Sequence, residues 1–454
     1  MVGGKKETVY ALFYSLASKI ATYVLLLVFA NFYIASEYGL GNFAYSVWNL
    51  VALVTYLGLP SSIVPLIIKR KNIGSILKLL VLLNMTVFVI GLFISLRYIW
   101  ILPLVLIFPL VMISSLSTAF WISKSRQDYP FKVGLFSTIL VLISAYLLKD
   151  LGKLGFVSAY AIGNLFSFFA MNYPIRREII GAFRRTDSKI LKSYLKLSIV
   201  VLFGGSIFVS LGWVNTSILG MLNYFEQVAQ FGIATAIAGI TLVIPNTLSL
   251  FILTRAGQVK NKDKSIGILH RVVRTSFFAS FISSIFLIIF SPLIIKIFFK
   301  KYIGIEPYIA ILSLGMIFFS AYYIIYMYHI GMQNPRKVYL IFFLGFIVNI
   351  ILALVLTPLL GVLGSSLAVT STHLFILIYM CLRENIKRVT LMSLLAIFVI
   401  FLVYLLQYWA LIVVIFIIPL SIKLRVIERG DIKVVRDIFS SILKSDKNKD
   451  VETG

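Results

Sequence analysis

Long apolar runs separated by short polar segments dominate this chain. Crossing the hydrocarbon core of a bilayer, about 30 Å thick, takes about 20 mostly apolar residues in a helix. The pattern contains fourteen such runs and therefore predicts an all-α polytopic membrane protein with no room for a large soluble domain. The predicted spans are 9–34, 41–68, 76–96, 99–122, 131–148, 155–174, 197–221, 228–254, 275–298, 307–331, 338–359, 363–382, 390–406 and 408–422.

Composition agrees with this pattern. Apolar residues make up 60% of the 454 positions and charged residues 13%, too few to cover a soluble domain of this size. The formal net charge of +26 lies mostly in short loops, which favours anionic lipid headgroups over nucleic acid as its partner. Lys5 and Lys6 precede the first run as in a signal peptide, but that run is longer than a signal's apolar region. We expect an uncleaved first span.

The distribution of basic residues predicts the orientation. With the N-terminus inside, only six of the 42 basic residues fall in outer loops, and Lys19 falls inside a span. This asymmetry is the positive-inside pattern of a cytoplasmic-type cell membrane, with both termini in the cytoplasm. The six outer residues are Arg97, Lys149, Lys153, Lys296, Lys300 and Lys301.

A basic amphipathic stretch divides the spans, and short motifs suggest that the two halves are copies. LGKLG at 151–155 joins spans five and six, as LGVLG at 360–364 joins spans eleven and twelve. Glu37 and Glu226 each follow the first span of their half. A six-plus-six duplication predicts two lobes related by a pseudo-twofold axis, typical of alternating-access transporters. The expected parts are an N-terminal lobe (1–175), a basic cytoplasmic linker (176–196), a C-terminal lobe (197–382), an additional helix pair (383–422) and a cytoplasmic tail (423–454).

The placement of acidic residues argues against catalysis. All sixteen Asp and Glu residues lie in loops, tails or span ends, whereas glycosyl transfer or intramembrane metal chemistry needs carboxylates or histidine clusters at membrane depth. The histidines, His270, His329 and His373, are far apart in sequence, and the single Cys381 excludes an intramolecular disulfide. We expect no enzyme activity, no cofactor and no metal site.

Lys19 is the single charged residue within a predicted span. It lies ten residues after Val9, about 15 Å along a helix and so near the membrane centre. A central lysine costs about 2.5–3.5 kcal/mol to insert and usually faces a polar cavity. Thr22 and Tyr23 share its helical face, which favours an anion site in a cavity. The alternative is that its long stem reaches the inner headgroups.

Polar stripes on two other spans add candidate substrate contacts. Tyr45, Asn49 and Tyr56 share one face of the second span, and Tyr322, Tyr326 and His329 share one face of the tenth. Aromatic rings with hydroxyl tips suit sugars, which have apolar faces and hydroxyl rims. The same residue types also pack membrane helices together and anchor them at interfaces, and Arg255 could equally guard a cavity or anchor its span. His373 is a candidate proton site or a helix-packing hydrogen bonder. The candidate substrate-binding residues are Lys19, Tyr23, Tyr45, Asn49, Ser210, Arg255, Tyr322 and Tyr326.

Two stretches carry a family resemblance. ASEYGLG at 35–41, followed by LGLP at 57–60, is similar to the EYG turn and the LGL of the polysaccharide-transporter branch of the multidrug/oligosaccharidyl-lipid/polysaccharide exporter superfamily. The stretch from Asn349 through Pro358 to Ala368 resembles that family's join of helices eleven and twelve. Here Ala353 replaces a common Asn, and Ser365 and Ser366 replace common Ala residues.

This resemblance implies two six-helix lobes around a cationic cavity that moves isoprenoid-linked oligosaccharide from the inner to the outer leaflet. Lys19 would contact the phosphate or an acidic sugar. Implied partners are the lipid-linked substrate, membrane lipids and glycan-assembly enzymes, with the chain acting as a monomer. A cation-coupled multidrug exporter of the same fold is one alternative, although such proteins usually keep a membrane-depth carboxylate. A membrane glycan polymerase or ligase is the other.

Overall fold

The computed structural model describes residues 17, 20–56, 63–68, 72–124, 126, 128–184, 187, 190–192, 194–195, 198, 207–256, 262–332 and 336–406. All regular structure in these ranges is helical, which confirms the predicted all-α polytopic class. The α-helices are α1 (Ile20–Phe32), α2 (Ala35–Thr55), α3 (Val64–Ile68), α4 (Gly74–Arg97), α5 (Leu102–Ser123), α6 (Asp128–Leu147), α7 (Gly152–Asn172), α8 (Arg176–Arg184), α9 (Ile207–Met221), α10 (Phe225–Ala238), α11 (Val243–Ala256), α12 (Lys262–Phe298), α13 (Glu306–Gly331), α14 (Arg336–Leu360), α15 (Val362–Arg383) and α16 (Lys387–Leu406).

Most of these helices lie within a few residues of a predicted span, but α2 begins six residues before the predicted 41–68 and α12 begins thirteen residues before the predicted 275–298. Ten helical segments among the described residues are long and apolar enough to cross a membrane. The eighth predicted span consists of α10 and α11, joined by the 3-10 turn Gly239–Leu242. The last predicted span, 408–422, lies outside the described residues.

Side chains on the outside of the helices match a hydrocarbon environment. On α4, Leu82 is 64% exposed, Phe93 70% and Leu96 83%. A helix that is apolar on every side belongs in a membrane or in the core of a large protein. Since these leucine and phenylalanine side chains are exposed, the lipid bilayer is the environment that would cover them.

The chain divides into two compact units. The first contains Met1–Ile233, Phe298–Lys301 and Ile350–Ser365, and the second contains Ala234–Ile297, Tyr302–Asn349 and Ser366–Gly454. These bounds differ from the lobe boundaries predicted from the sequence, because residues 197–233, 298–301 and 350–365 of the second predicted lobe belong to the first unit. The five-part domain division remains a prediction.

Within the first unit, the two glycine motifs form equivalent turns. Gly152 has φ 53° and Gly361 has φ 59°, a backbone region that L side chains rarely adopt. Each glycine faces the third residue of a helix, Glu37 of α2 at Gly152 and Gln227 of α10 at Gly361. The counterpart of Glu37 is therefore Gln227 rather than Glu226, because α10 begins at Phe225. This match supports the internal repeat.

Candidate functional site

Two candidate site residues cannot be placed. Lys19 lies outside the described residues, and Arg255 belongs to the backbone of α11 while its side chain lies outside them. Tyr23 is half-buried on α1, and Ser210 is fully buried on α9. All of them remain predictions.

The polar stripe on α2 meets a tyrosine from α7. The ring of Tyr45 stacks on that of Tyr160, with centroids 4.2 Å apart and planes 23° from parallel. The Asn49 side-chain amide donates a hydrogen bond of 2.7 Å to the Tyr45 carbonyl one turn earlier. The Tyr56 hydroxyl donates to the Phe108 carbonyl on α5 at 3.4 Å. The structure thus brings Tyr45 and Asn49 together, half-buried, beside a second aromatic ring.

An aromatic cluster continues from Tyr160 toward the end of α1. Phe156 lies one turn before Tyr160 on α7, and its ring centroid is 4.4 Å from that of Phe29. Tyr33 and Tyr38 also contact these rings. Ring pairs of this kind add about 0.5–1.5 kcal/mol each beyond the area they bury. The cluster therefore holds α1, α2 and α7 together and fixes where Tyr45 presents its ring.

The second unit has its own polar pair on α13 and α15. Tyr322 is fully buried, and its hydroxyl shares a hydrogen bond of 2.8 Å with Nδ1 of His373. Tyr326 is half-buried and meets the ring of Phe342 edge-on at 5.3 Å. His373 therefore has the position expected of a helix-packing hydrogen bonder, and Tyr326 is the more accessible of the two candidate tyrosines.

Two of the three histidines meet one glutamate at the predicted inner end of the second unit. His329 on α13 pairs with the Glu384 carboxylate through its Nε2 at 3.0 Å. His270 on α12 makes a hydrogen bond of 3.2 Å to the backbone carbonyl of the same residue. Glu384 follows α15 directly, so this cluster joins three helices. Within the described residues, no group of three His, Cys, Asp or Glu side chains could hold a metal ion.

Polar contacts join two helix ends at the predicted outer side of the first unit. We call Asn31, Tyr33, Phe298 and Lys301 the outer clasp. The Lys301 ammonium donates hydrogen bonds to the carbonyls of Asn31 at 2.7 Å and Tyr33 at 3.2 Å. The Asn31 amide donates to the Phe298 carbonyl at 2.8 Å. The clasp therefore ties the end of α1 to the end of α12, which the sequence assigns to opposite lobes.

Sequence reasoning missed Tyr160, Glu384 and the role of Lys301. Each contacts a residue on a span that is distant in sequence; Lys301, for example, contacts Asn31, which lies 270 residues earlier. Helical spacing within one span cannot reveal such pairs. The one available signal was the position of Lys301 in a predicted outer loop, where the positive-inside pattern makes basic residues uncommon.

No family model matches this chain, and no curated protein matches its sequence. Solved structures do match its fold. The lipid II flippase MurJ in an inward closed conformation aligns over 91% of this chain and 99% of its own, with a TM-score of 0.71 and 16% identity. A MATE transporter in a bent conformation covers 86% and 99%, with a TM-score of 0.57 and 12% identity.

An inward-facing multidrug resistance transporter of the MATE family, in the MOP superfamily, covers 84% of this chain and 94% of its own, with a TM-score of 0.57 and 13% identity. These likenesses confirm the predicted fold.

Proposed function

We propose that this chain is a flippase that moves isoprenoid-linked oligosaccharide from the cytoplasmic to the outer leaflet by alternating access. The observation that carries the proposal is the fold likeness to a lipid II flippase along almost the whole chain, at a higher TM-score than the likeness to the two MATE transporters. In this proposal the chain lies in the cell membrane with both termini in the cytoplasm. It acts as a monomer and receives its substrate from glycan-assembly enzymes.

The charges along the chain favour an anionic passenger. Each Asp or Glu among the described residues stands within the first three residues of a helix or in a connection between helices. Lys19 is a cation within an apolar run. An ammonium in apolar surroundings binds phosphate strongly, because charge-assisted hydrogen bonds gain strength where water is excluded. Lys19 would therefore contact the diphosphate link or an acidic sugar.

Aromatic rings favour a sugar as the polar head. The stacked Tyr45 and Tyr160 and the neighbouring Asn49 offer ring faces beside a side-chain amide. Sugars combine apolar faces with hydroxyl rims, so rings and amides together bind them well. In the second unit, half-buried Tyr326 is the corresponding candidate.

The outer clasp supports alternating access. Inward-facing transport states need a closed outer end, and the clasp supplies hydrogen bonds between helices of the two predicted lobes. Release of the passenger to the outer leaflet would require these bonds to break.

Substitution of Lys19 tests the proposed site. Lys19→Ala is expected to abolish transport of isoprenoid-linked oligosaccharide in proteoliposomes, whereas Lys19→Arg keeps part of it because the charge remains. Lys78→Ala is the matched control, since Lys78 is an exposed lysine in the first turns of α4. Wild-type transport by Lys19→Ala at equal protein amounts would remove Lys19 from the mechanism.

A cation-coupled multidrug exporter is the second candidate, favoured by the MATE fold likeness. Exporters that exchange protons or sodium for cationic drugs need a carboxylate at membrane depth, and the sequence offers none there. Drug sensitivity of a host lacking its own exporters separates the two functions. Resistance conferred by this chain, lost in an inactive variant, would favour the exporter.

A further inference from the structure

A large apolar cavity lies in the first unit beside the aromatic rings of α2. Its volume is about 700 Å³, within the range of small-molecule sites. Parts of α2, α4 and α5 and the turn between α9 and α10 line it, for example Val47, Val87 and Phe108. These parts are the ends of the helices at the predicted outer side. The cavity therefore lies at the depth of the outer leaflet's hydrocarbon chains.

One polar atom in the wall lacks a partner. The indole Nε1 of Trp48 is buried and makes no hydrogen bond to any other described residue. Trp48 lines the cavity, stacks on Tyr45 at 5.7 Å and meets Phe108 edge-on at 5.8 Å. An N–H group can bind weakly to a π-face, so a chain containing double bonds would satisfy it better than a saturated chain. The same ring also connects the cavity to the candidate sugar contact.

Cations stand at the outer rim of the cavity. Tyr98 and Trp100 belong to its lining. The Arg97 guanidinium lies 5.7 Å from the Tyr98 ring centre, and the Lys153 ammonium lies 5.7 Å from that of Trp100. The backbone N–H of Lys153 donates to the Glu37 carboxylate at 2.7 Å, so one acid is close by. Two of the six basic residues predicted on the outer side thus lie where a phosphate headgroup would be.

We propose that this cavity holds the hydrocarbon chain of an isoprenoid phosphate in the outer leaflet, with its phosphate at Arg97 and Lys153. The inference rests on the proposed function, and it adds a binding site for the lipid carrier. The apolar cavity would hold a long hydrocarbon chain, and the unpaired N–H of Trp48 favours a chain with double bonds. The cations at the rim favour a negatively charged end group. A bulk phospholipid chain is the competing occupant.

Trp48 fluorescence can report the occupant directly. The assay uses the full chain with its other four tryptophans, Trp100, Trp121, Trp213 and Trp409, changed to phenylalanine, in vesicles of phosphatidylcholine with brominated saturated chains. Bromine quenches the indole when a phospholipid chain enters the cavity. Added isoprenoid phosphate is expected to relieve this quenching in a saturable manner. Hexadecyl phosphate lacks the double bonds that would face the indole and should act about fivefold more weakly. The isoprenoid alcohol lacks the phosphate that would contact Arg97 and Lys153 and should act about 5–30-fold more weakly.

Val47→Phe and Val54→Phe provide matched variants on α2. Val47 lines the cavity, whereas Val54 lies two turns further along the helix and is 61% exposed. Val47→Phe should abolish the relief of quenching, and Val54→Phe should keep it. Ala44→Phe, which enters the same cavity, replaces Val47→Phe if that variant melts early. Equal relief in the cavity variant and the control would overturn the proposal.

The remaining outcomes separate this site from the proposed function. If isoprenoid phosphate does not relieve the quenching, the cavity holds phospholipid and the proposed lipid-carrier site is wrong. This conclusion holds whether or not the protein transports oligosaccharide. Saturable relief in a protein that transports no isoprenoid-linked sugar would keep the site and reject the flippase.

Discussion

Removing the Lys301 ammonium should open the predicted outer end of the protein. Lys301→Ala deletes two hydrogen bonds, of 2.7 Å and 3.2 Å, to the carbonyls of Asn31 and Tyr33. Lys301 is exposed, so water competes for its ammonium. Each of the two bonds is then worth about 0.5–1 kcal/mol, and both together about 1–2 kcal/mol. A difference of that size changes the ratio of closed to open molecules about 5–30-fold.

Distance measurements between spin labels can test this shift. The native chain has one cysteine, the buried Cys381, so a Cys381→Ser background leaves only introduced cysteines for labelling. Ile34 is 70% exposed and Leu359 is 74% exposed, and both belong to the first unit near its predicted outer end. Pulsed electron paramagnetic resonance should show the longer-distance population rising in Lys301→Ala.

Lys300→Ala is the control for this experiment. Lys300 precedes Lys301 in the same short 3-10 helix, and its removal leaves both clasp carbonyls bonded to Lys301. The distance distribution of Lys300→Ala should match that of the parent. Identical distributions for the two alanine variants would refute the reasoning that the clasp holds this end closed.

Other substitutions should act mainly on stability, measured as thermal unfolding in detergent. Gly361→Ala should lower the free energy of unfolding by about 1–2 kcal/mol, because φ is 59° there. In α8, a Cβ added at Gly181 would meet no atom within 4 Å, so Gly181→Ala should be neutral or stabilising. Equal losses of unfolding free energy in the two variants would contradict the argument from the positive φ. Tyr322→Phe should lower the free energy of unfolding by about 1–3 kcal/mol, because it leaves the buried ring nitrogen of His373 without this hydrogen bond. An unchanged melting temperature would mean that the bond contributes little. Glu384→Gln should weaken the pairing with His329 and lower the melting temperature, and no change would limit that pair to a marginal role.

The sequence predicted the helices well because each span is a local property. Apolar length alone locates α4, and its structural bounds, Gly74–Arg97, differ from the predicted 76–96 by two residues or fewer. The LG motifs were equally informative, because a positive φ at Gly152 and Gly361 reflects a local steric need.

Contacts between distant spans could not be predicted in this way. Helical spacing placed Tyr322, Tyr326 and His329 on one stripe, but Tyr322 pairs with His373 and His329 pairs with Glu384. Both partners lie more than 50 residues away, and no spacing rule connects them. The stripe therefore identified polar residues correctly without identifying what they contact.

Transport by the purified protein tests the central claim most directly. Proteoliposomes would carry a radiolabelled isoprenoid diphosphate oligosaccharide, and a membrane-impermeant glycosidase outside would report its arrival in the outer leaflet. The account predicts that wild-type protein exposes the sugar to the enzyme far faster than protein-free vesicles, and that Lys19→Ala does not. Folded wild-type protein that leaves the sugar as protected as in protein-free vesicles would contradict the assignment as a flippase.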